Sequence, residues 1–380
     1  MVRATRVLSL LVVLTVFGLR ADAQVQVSEE HTGKTTDSSP AGYEWTQHRF
    51  TLNNGLLRYI LGYQAHWATD GLAVQLSPEG YLGMPGPTSA NWYSGGFMNI
   101  LLNGKSLGTE RPVGLRLVER GERGMVEMLW DTADAQLRVR YVLEPGCDYL
   151  ACELAVQPKT DLKRLELALN CFPSYFTNWN KRDGWRQIVG PLTTVEQGAE
   201  ATPDPAQDYW LLYQDTVFDV ATEKDSGGPC GLLVVPEQVA TVRVRPTSYP
   251  VSTHLAAAPG VVRWRMAFWD FHGKTNAEAL QRLRSGAQEV LARLREADFA
   301  DRRVAAFDVT RERAQLDAMI ARSTEPEKWR QSLVPVFEKI AAALEANQGG
   351  DLAAEHAASI AIEEYAEGLW DLRFDALLND

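Results

Sequence analysis

Residues 113–171 read VGLRLVERGERGMVEMLWDTADAQLRVRYVLEPGCDYLACELAVQPKTDLKRLELALNC. Apolar residues recur at every second position in five successive runs. These are Val113, Leu115 and Leu117; Val126, Met128 and Trp130; Leu137, Val139, Tyr141 and Leu143; Leu150, Cys152, Leu154 and Val156; and Leu165, Leu167, Leu169 and Cys171. A period of two sends alternate side chains to opposite faces of a strand, so the apolar sets predict a buried face and their polar partners a wet one. Turn formers separate the runs: Gly121 and Gly124, Asp131 and Asp134, then Pro145-Gly146. The stretch predicts an antiparallel meander, and with it a mainly β fold built on a large antiparallel β-sandwich.

Upstream, Asn54-Gly55 between two apolar runs is a hairpin signal. Residues 77–96 (SPEGYLGMPGPTSANWYSGG) are too rich in Gly and Pro for regular structure, and they carry Tyr81, Trp92 and Tyr93. Downstream, residues 172–207 break the rhythm, with Trp179 and Trp185 set among Asn180, Lys181, Arg182 and Asp183. Strand patterns return at 209–213, 217–221, 231–235, 240–245 and 261–269, which makes about fifteen strands in residues 43–273.

The period changes at Thr275. Thr275-x-x-Glu278 reads as a capping box, followed by Leu280, Leu283, Ala287, Val290, Leu291 and Leu294 at helical spacing. Thr324-x-x-Glu327 reads as a second box, with Pro335 expected to bend the helix it starts. A last helix is expected from about 351 to 377. Residues 274–380 are therefore a helical region. Its apolar stripes suit packing on the sandwich, or homo-oligomerisation through the C-terminal helices.

Residues 1–23 have the form of a signal peptide. Arg3 and Arg6 precede the apolar run 7–19, and Ala21-Asp22-Ala23 fits a cleavage site. This predicts an exported protein, periplasmic or secreted, with no membrane association after cleavage. Residues 24–42 are polar and aperiodic, and predict a flexible leader. The net charge of -11 argues against a nucleic-acid partner, which would call for a basic stripe. The four cysteines, Cys147, Cys152, Cys171 and Cys230, admit three disulfide pairings.

The sequence carries no nucleophile elbow, phosphate loop, dinucleotide fingerprint or zinc-protease motif, so no cofactor and no metal are expected. His66 in GYQAHWATDG and His254 are candidate catalytic imidazoles. Asp270 and His272 lie at i, i+2, and His356 sits beside Glu355 on a predicted solvated helix face. Aromatic rings in irregular segments are the clearest functional colour. Trp92, Tyr93, Trp179, Arg182, Asp183 and Trp185 are candidate ligand contacts, because sugar rings offer C–H faces to aromatics and hydroxyl edges to polar side chains.

The strand succession over residues 43–272, with the YVLEPGCDYL turn at Tyr141–Leu150, resembles the galactose-mutarotase-like supersandwich. That resemblance implies a fold shared by aldose epimerases, polysaccharide lyases and accessory domains of glycoside hydrolases. The family's His acid and Glu base have no motif match here, so neither role is carried over. The expected function is carbohydrate binding through aromatic-rich loops. An epimerase or lyase using a His/carboxylate pair, or an assembly protein with dimerising helices, are the alternatives.

Overall fold

The computed structural model describes residues 24–34, 43–68, 81–83, 92, 96–173, 185–216 and 227–377. Among the described residues the fold is a β-sandwich of two nine-stranded antiparallel sheets, followed by a helical region. The first sheet holds β1 (Gln26–Lys34), β2 (Tyr43–Asn53), β3 (Arg58–Ala68), β4 (Tyr81–Gly83), β5 (Met98–Leu102), β6 (Lys105–Ser106), β11 (Leu165–Cys171), β16 (Val239–Pro246) and β17 (Val251–Ala257). The second holds β7 (Gly114–Glu119), β8 (Gly124–Asp131), β9 (Ala135–Leu143), β10 (Leu150–Pro158), β12 (Arg186–Val189), β13 (Thr194–Glu196), β14 (Trp210–Asp215), β15 (Cys230–Val234) and β18 (Arg263–Asp270). The second sheet runs β13-β12-β14-β15-β18-β10-β9-β8-β7.

The expected meander holds for four of its five runs, β7 to β10. The fifth, β11, crosses to the first sheet and pairs with β5 and β17. Of the residues forecast as inward, Val126, Met128, Trp130, Leu137, Val139, Tyr141, Leu154 and Leu167 share one core with Phe50, Tyr59, Phe97 and Phe268 of facing strands, whereas Val113, just before β7, is 56% exposed. Residues 26–34, expected as part of a flexible leader, instead form β1 on β2. Val25, just before β1, is buried in the core, and its N–H donates to the Gly121 carbonyl.

Five helices follow: α1 (Asn276–Glu296), α2 (Arg302–Ala306), α3 (Val309–Arg322), α4 (Pro326–Asn347) and α5 (Leu352–Leu377). The first capping box forms as expected at Thr275 and Glu278. The second does not: the Thr324 hydroxyl donates to Asp375 of α5, and Glu325 precedes α4 with no side-chain cap. The apolar face of α1 packs on the outer side of the second sheet, where Leu283, Ala287 and Leu294 share a cluster with Trp210, Leu233 and Trp269. Helices α3 to α5 share a separate core that includes Leu316, Trp329, Phe337, Ile340 and Tyr365. Further along α5, Trp370, Phe374 and Leu377 are exposed. No helix among the described residues is long and apolar enough to cross a membrane.

The polar partners of the meander correct the sequence reading. Glu127, Arg138, Arg140 and Glu153 occupy the positions expected to face water, and all four are buried. Helix α5 lies over Glu127, Arg138 and Arg140, while Glu153 accepts from Arg263 and Arg265 of β18. Arg140 Nε donates to Glu127 at 2.8 Å, and its Nη1 donates to Glu355 at 2.7 Å. Arg138 Nη1 also donates to Glu355. Glu127 Oε1 lies 2.6 Å from His356 Nδ1. Arg116 of β7 reaches Ser359 and Glu363. His356 packs so closely on β7 that a Cβ added at Gly114 would sit 2.5 Å from its ring. The helix face read as solvated is thus the buried half of an ionic seam. Among the described residues, no group of three or more His, Cys, Asp or Glu is placed to hold a metal.

Candidate functional site

Two turns flagged in the sequence meet at one end of the sandwich. Asn54-Gly55 closes the β2–β3 hairpin, with Gly55 at φ +84°, a conformation that favours glycine. The Asn54 amide crosses to the other sheet and donates to the carbonyls of Glu144 and Cys147, at 2.8 and 2.7 Å. Its own oxygen accepts from Leu56 and Leu57 N–H. The hairpin tip is thereby fixed beside the Pro145-Gly146 turn. Between this tip, the end of β18 and the first turns of α1 lies a groove of about 560 Å³.

The groove carries polar groups of both signs on an apolar frame. Leu56, Leu57 and Phe271 supply apolar surface, and Asp148, Asp270, His272, Lys274, Glu278 and Arg282 supply charge and hydrogen bonding. Asp148 and Arg282 form a two-bond pair, 2.6 and 2.7 Å, and the Asp148 carboxylate raises the Arg282 pKa. Asp270 is 2% exposed and ends β18 directly opposite Cys230. His272 follows two residues later, half-buried, with no hydrogen-bond partner on its buried Nδ1. Tyr59 lies near Asp270; burial first, then the Asp270 charge, keeps its phenol protonated well above the usual range. A buried carboxylate and an imidazole on the wall of one cleft are the components of acid–base chemistry.

Behind Asp270 the polar row continues between the sheets. Tyr213 pairs with Cys230 on one side and with Ile188 on the other, and one step further out Arg186 pairs with Asp215. Arg186 and Asp215 are fully buried. The Arg186 guanidinium lies 6.0 Å from the Phe172 ring centre, and burial lowers its pKa.

On the outer face of the same end stands Trp185. Its ring is 47% exposed, and its Nε1 donates to Glu196 at 2.7 Å. Gln187 donates to the other oxygen of Glu196, and Gln214 donates to Gln187, both at 2.6 Å. A flat ring is thus held beside a ladder of amides and a carboxylate that crosses β13, β12 and β14.

The other sequence candidates fall elsewhere. Trp92 is 1% exposed: its Nε1 donates to the Trp269 carbonyl at 3.0 Å, and its ring meets Phe97, Tyr213 and Phe268 edge-on. It closes the core beneath the groove. Tyr93, Trp179, Arg182 and Asp183 lie outside the described residues, as do residues 1–23. His66 sits on β3 opposite Trp45, with its side chain outside the described set. His254 stands exposed on β17, opposite Ala168 and Arg243; burial, then Arg243, lowers its pKa. The Asp148–Arg282 pair went unread in the sequence, and only the turn at Pro145-Gly146 marked its neighbourhood. A histidine pair was missed as well. His31 and His48 face each other across β1 and β2, ring centres 3.8 Å apart, and burial followed by His31 lowers the His48 pKa to about 4.

No family model matches the chain, and no curated protein matches it. Solved structures with partial likeness include the α-N-acetylgalactosaminidase NagBb from Bifidobacterium bifidum, at 10% identity and TM-score 0.38, covering 67% of this chain and 39% of that one. The GH36 α-galactosidase AgaA from Geobacillus stearothermophilus matches at 13% identity and TM-score 0.31, over 59% and 41%. The galactosidase domain of the α-galactosidase-sucrose kinase AgaSK matches at 10% identity and TM-score 0.32, over 58% and 40%. The chain spans about two fifths of the length of these structures. At TM-scores below 0.5 the likeness carries no functional argument.

Proposed function

We propose that this chain is an exported, galactose-mutarotase-like sandwich protein that binds carbohydrate at the loop end of the fold. The observation that carries the reading is Trp185 beside the Glu196–Gln187–Gln214 ladder. Most tryptophans hide such a ring; this one is exposed and held in one orientation by its own N–H. A sugar stacks its C–H face on the ring and turns its hydroxyls to the carboxylate and amide oxygens. Calorimetric titration of the full chain with a panel of oligosaccharides tests it. Trp185→Ala should weaken the bound saccharide about tenfold or more, a loss of about 1.4 kcal/mol, and Trp185→Phe should keep most of the affinity. If no saccharide binds the native chain, or Trp185→Ala binds as tightly as native, the reading fails.

The groove favours a second reading, turnover of the bound saccharide with Asp270 and His272 as proton-transfer groups. Asp270→Asn should then lower product formation by about 10²–10⁴-fold while leaving binding at Trp185 in place. A native chain that binds saccharides and releases no altered product rejects it. We assign self-association, the third reading, to the exposed Trp370, Phe374 and Leu377 face of α5. A Phe374→Glu chain with the native mass in light scattering rules that out.

A further inference from the structure

We infer that Cys171 and Cys230 form a disulfide that fastens the two sheets together directly beneath the groove. Three of the four cysteines face the inter-sheet core, and Cys147 lies in the cluster on the opposite side of the second sheet, under α1. A bond from Cys147 to any other cysteine would have to pass through the sheet. Cys152 is separated along the strands. It pairs across from Met266 of β18, whereas Cys230 pairs across from Asp270, four positions on (270 − 266 = 4). At about 3.3 Å per residue this is about 13 Å, well beyond the ~7 Å that a disulfide spans between Cα atoms.

Cys171 and Cys230 are brought together from both sides. Cys171 ends β11 in the first sheet and bridges to Trp92. The Trp92 ring centre is 5.9 Å from that of Tyr213, and Tyr213 is the strand partner of Cys230 in the second sheet. Both thiols are free in the structure, and Cys171 is the neighbour that, after burial, raises the Cys230 pKa most. Both residues are at most 1% exposed.

Forming the bond removes two protons and two electrons from the thiols. The acceptor is a disulfide of the glutathione or thiol-oxidase class, which is reduced to two thiols. Neither sulfur is reachable in the folded chain, so the exchange takes place while the sheets are closing. Once the sandwich is shut, the same burial keeps reductants out.

The test needs neither export nor saccharide binding. The reduced, denatured full chain is refolded in a glutathione redox buffer, then denatured and alkylated, and its intact mass is measured. Two alkyl groups are expected before reduction and four after it, and a proteolytic map should join the Cys171 and Cys230 peptides. The Cys171→Ser and Cys230→Ser chains should each take up three alkyl groups. Dithiothreitol should open the bond in urea and leave it intact in the native state. Four alkyl groups on a refolded chain that unfolds cooperatively, or a crosslink that includes Cys147 or Cys152, overturn the assignment.

Discussion

An Arg140→Ala chain should be less stable than native by about 3–5 kcal/mol, because truncating one partner of a buried ion pair strands the other. Arg140 touches Glu127, Glu355 and the Phe299 carbonyl at once. Its loss leaves the Glu127 charge, which is fully buried, with His356 as its nearest remaining hydrogen-bond partner. Urea denaturation at neutral pH measures the effect as a drop in midpoint at unchanged slope. A double change, Glu127→Leu with Arg140→Met, removes both charges together and should recover much of the loss. An Arg140→Ala chain within about 1 kcal/mol of native would show that the seam contributes little.

The same seam sets an acid limit. Burial alone would raise the Glu127 pKa; Arg140, then the His356 hydrogen bond and Arg138, overcome it and hold it at about 2. The carboxyl is therefore more acidic in the folded chain than in the unfolded one. Its contribution is fully present above about pH 4.5 and drains away as pH falls from there towards 2. A Glu127→Gln chain should be less stable at pH 7, and its stability should fall less steeply over that window. Equal slopes for the two chains in acid titration would contradict the assignment.

Trp92→Ala should cost about 3–5 kcal/mol, the range for emptying a large aromatic site in a packed core. The ring touches three aromatic neighbours from both sheets, and its N–H satisfies the Trp269 carbonyl. Alanine leaves a void and an unpaired carbonyl together. Trp92→Phe fills most of the void and should cost clearly less. Thermal unfolding followed by near-ultraviolet circular dichroism reads both. A loss below about 1 kcal/mol for alanine would mean that the ring is not part of the core.

Trp92 and Trp185 show where local sequence stops informing. Both sit in irregular, aromatic-rich stretches, and both suited a sugar. What separates them is whether a second sheet arrives to cover the ring, and that information lies in Tyr213 and Phe268, far along the chain. The inward faces of the meander were legible because strand periodicity is local. The outward faces were not. Charge at Glu127, Arg138 and Arg140 normally marks water, and the groups that replace water here come from α5, Glu355 standing 215 positions after Arg140. The groove was half legible. Asp270 and His272 drew notice by spacing and the Asn54 turn by its dipeptide, while the partnership of Asp148 with Arg282 spans 134 positions and leaves no local trace.

The ionic seam also imposes an order in time. On a ribosome adding about 5–20 residues per second, β8 and β9 emerge some 200 residues before the α5 carboxylates that complete their outer face. For that interval Arg138 and Arg140 keep their own hydration, and the strands present a charged surface instead of a sticky one. A nascent sandwich with its arginines still in water resists pairing with other chains. The arrival of Glu355 and His356 then turns a solubilising surface into a closed one, so the late helix acts as the latch on a sheet that was kept safe while it waited.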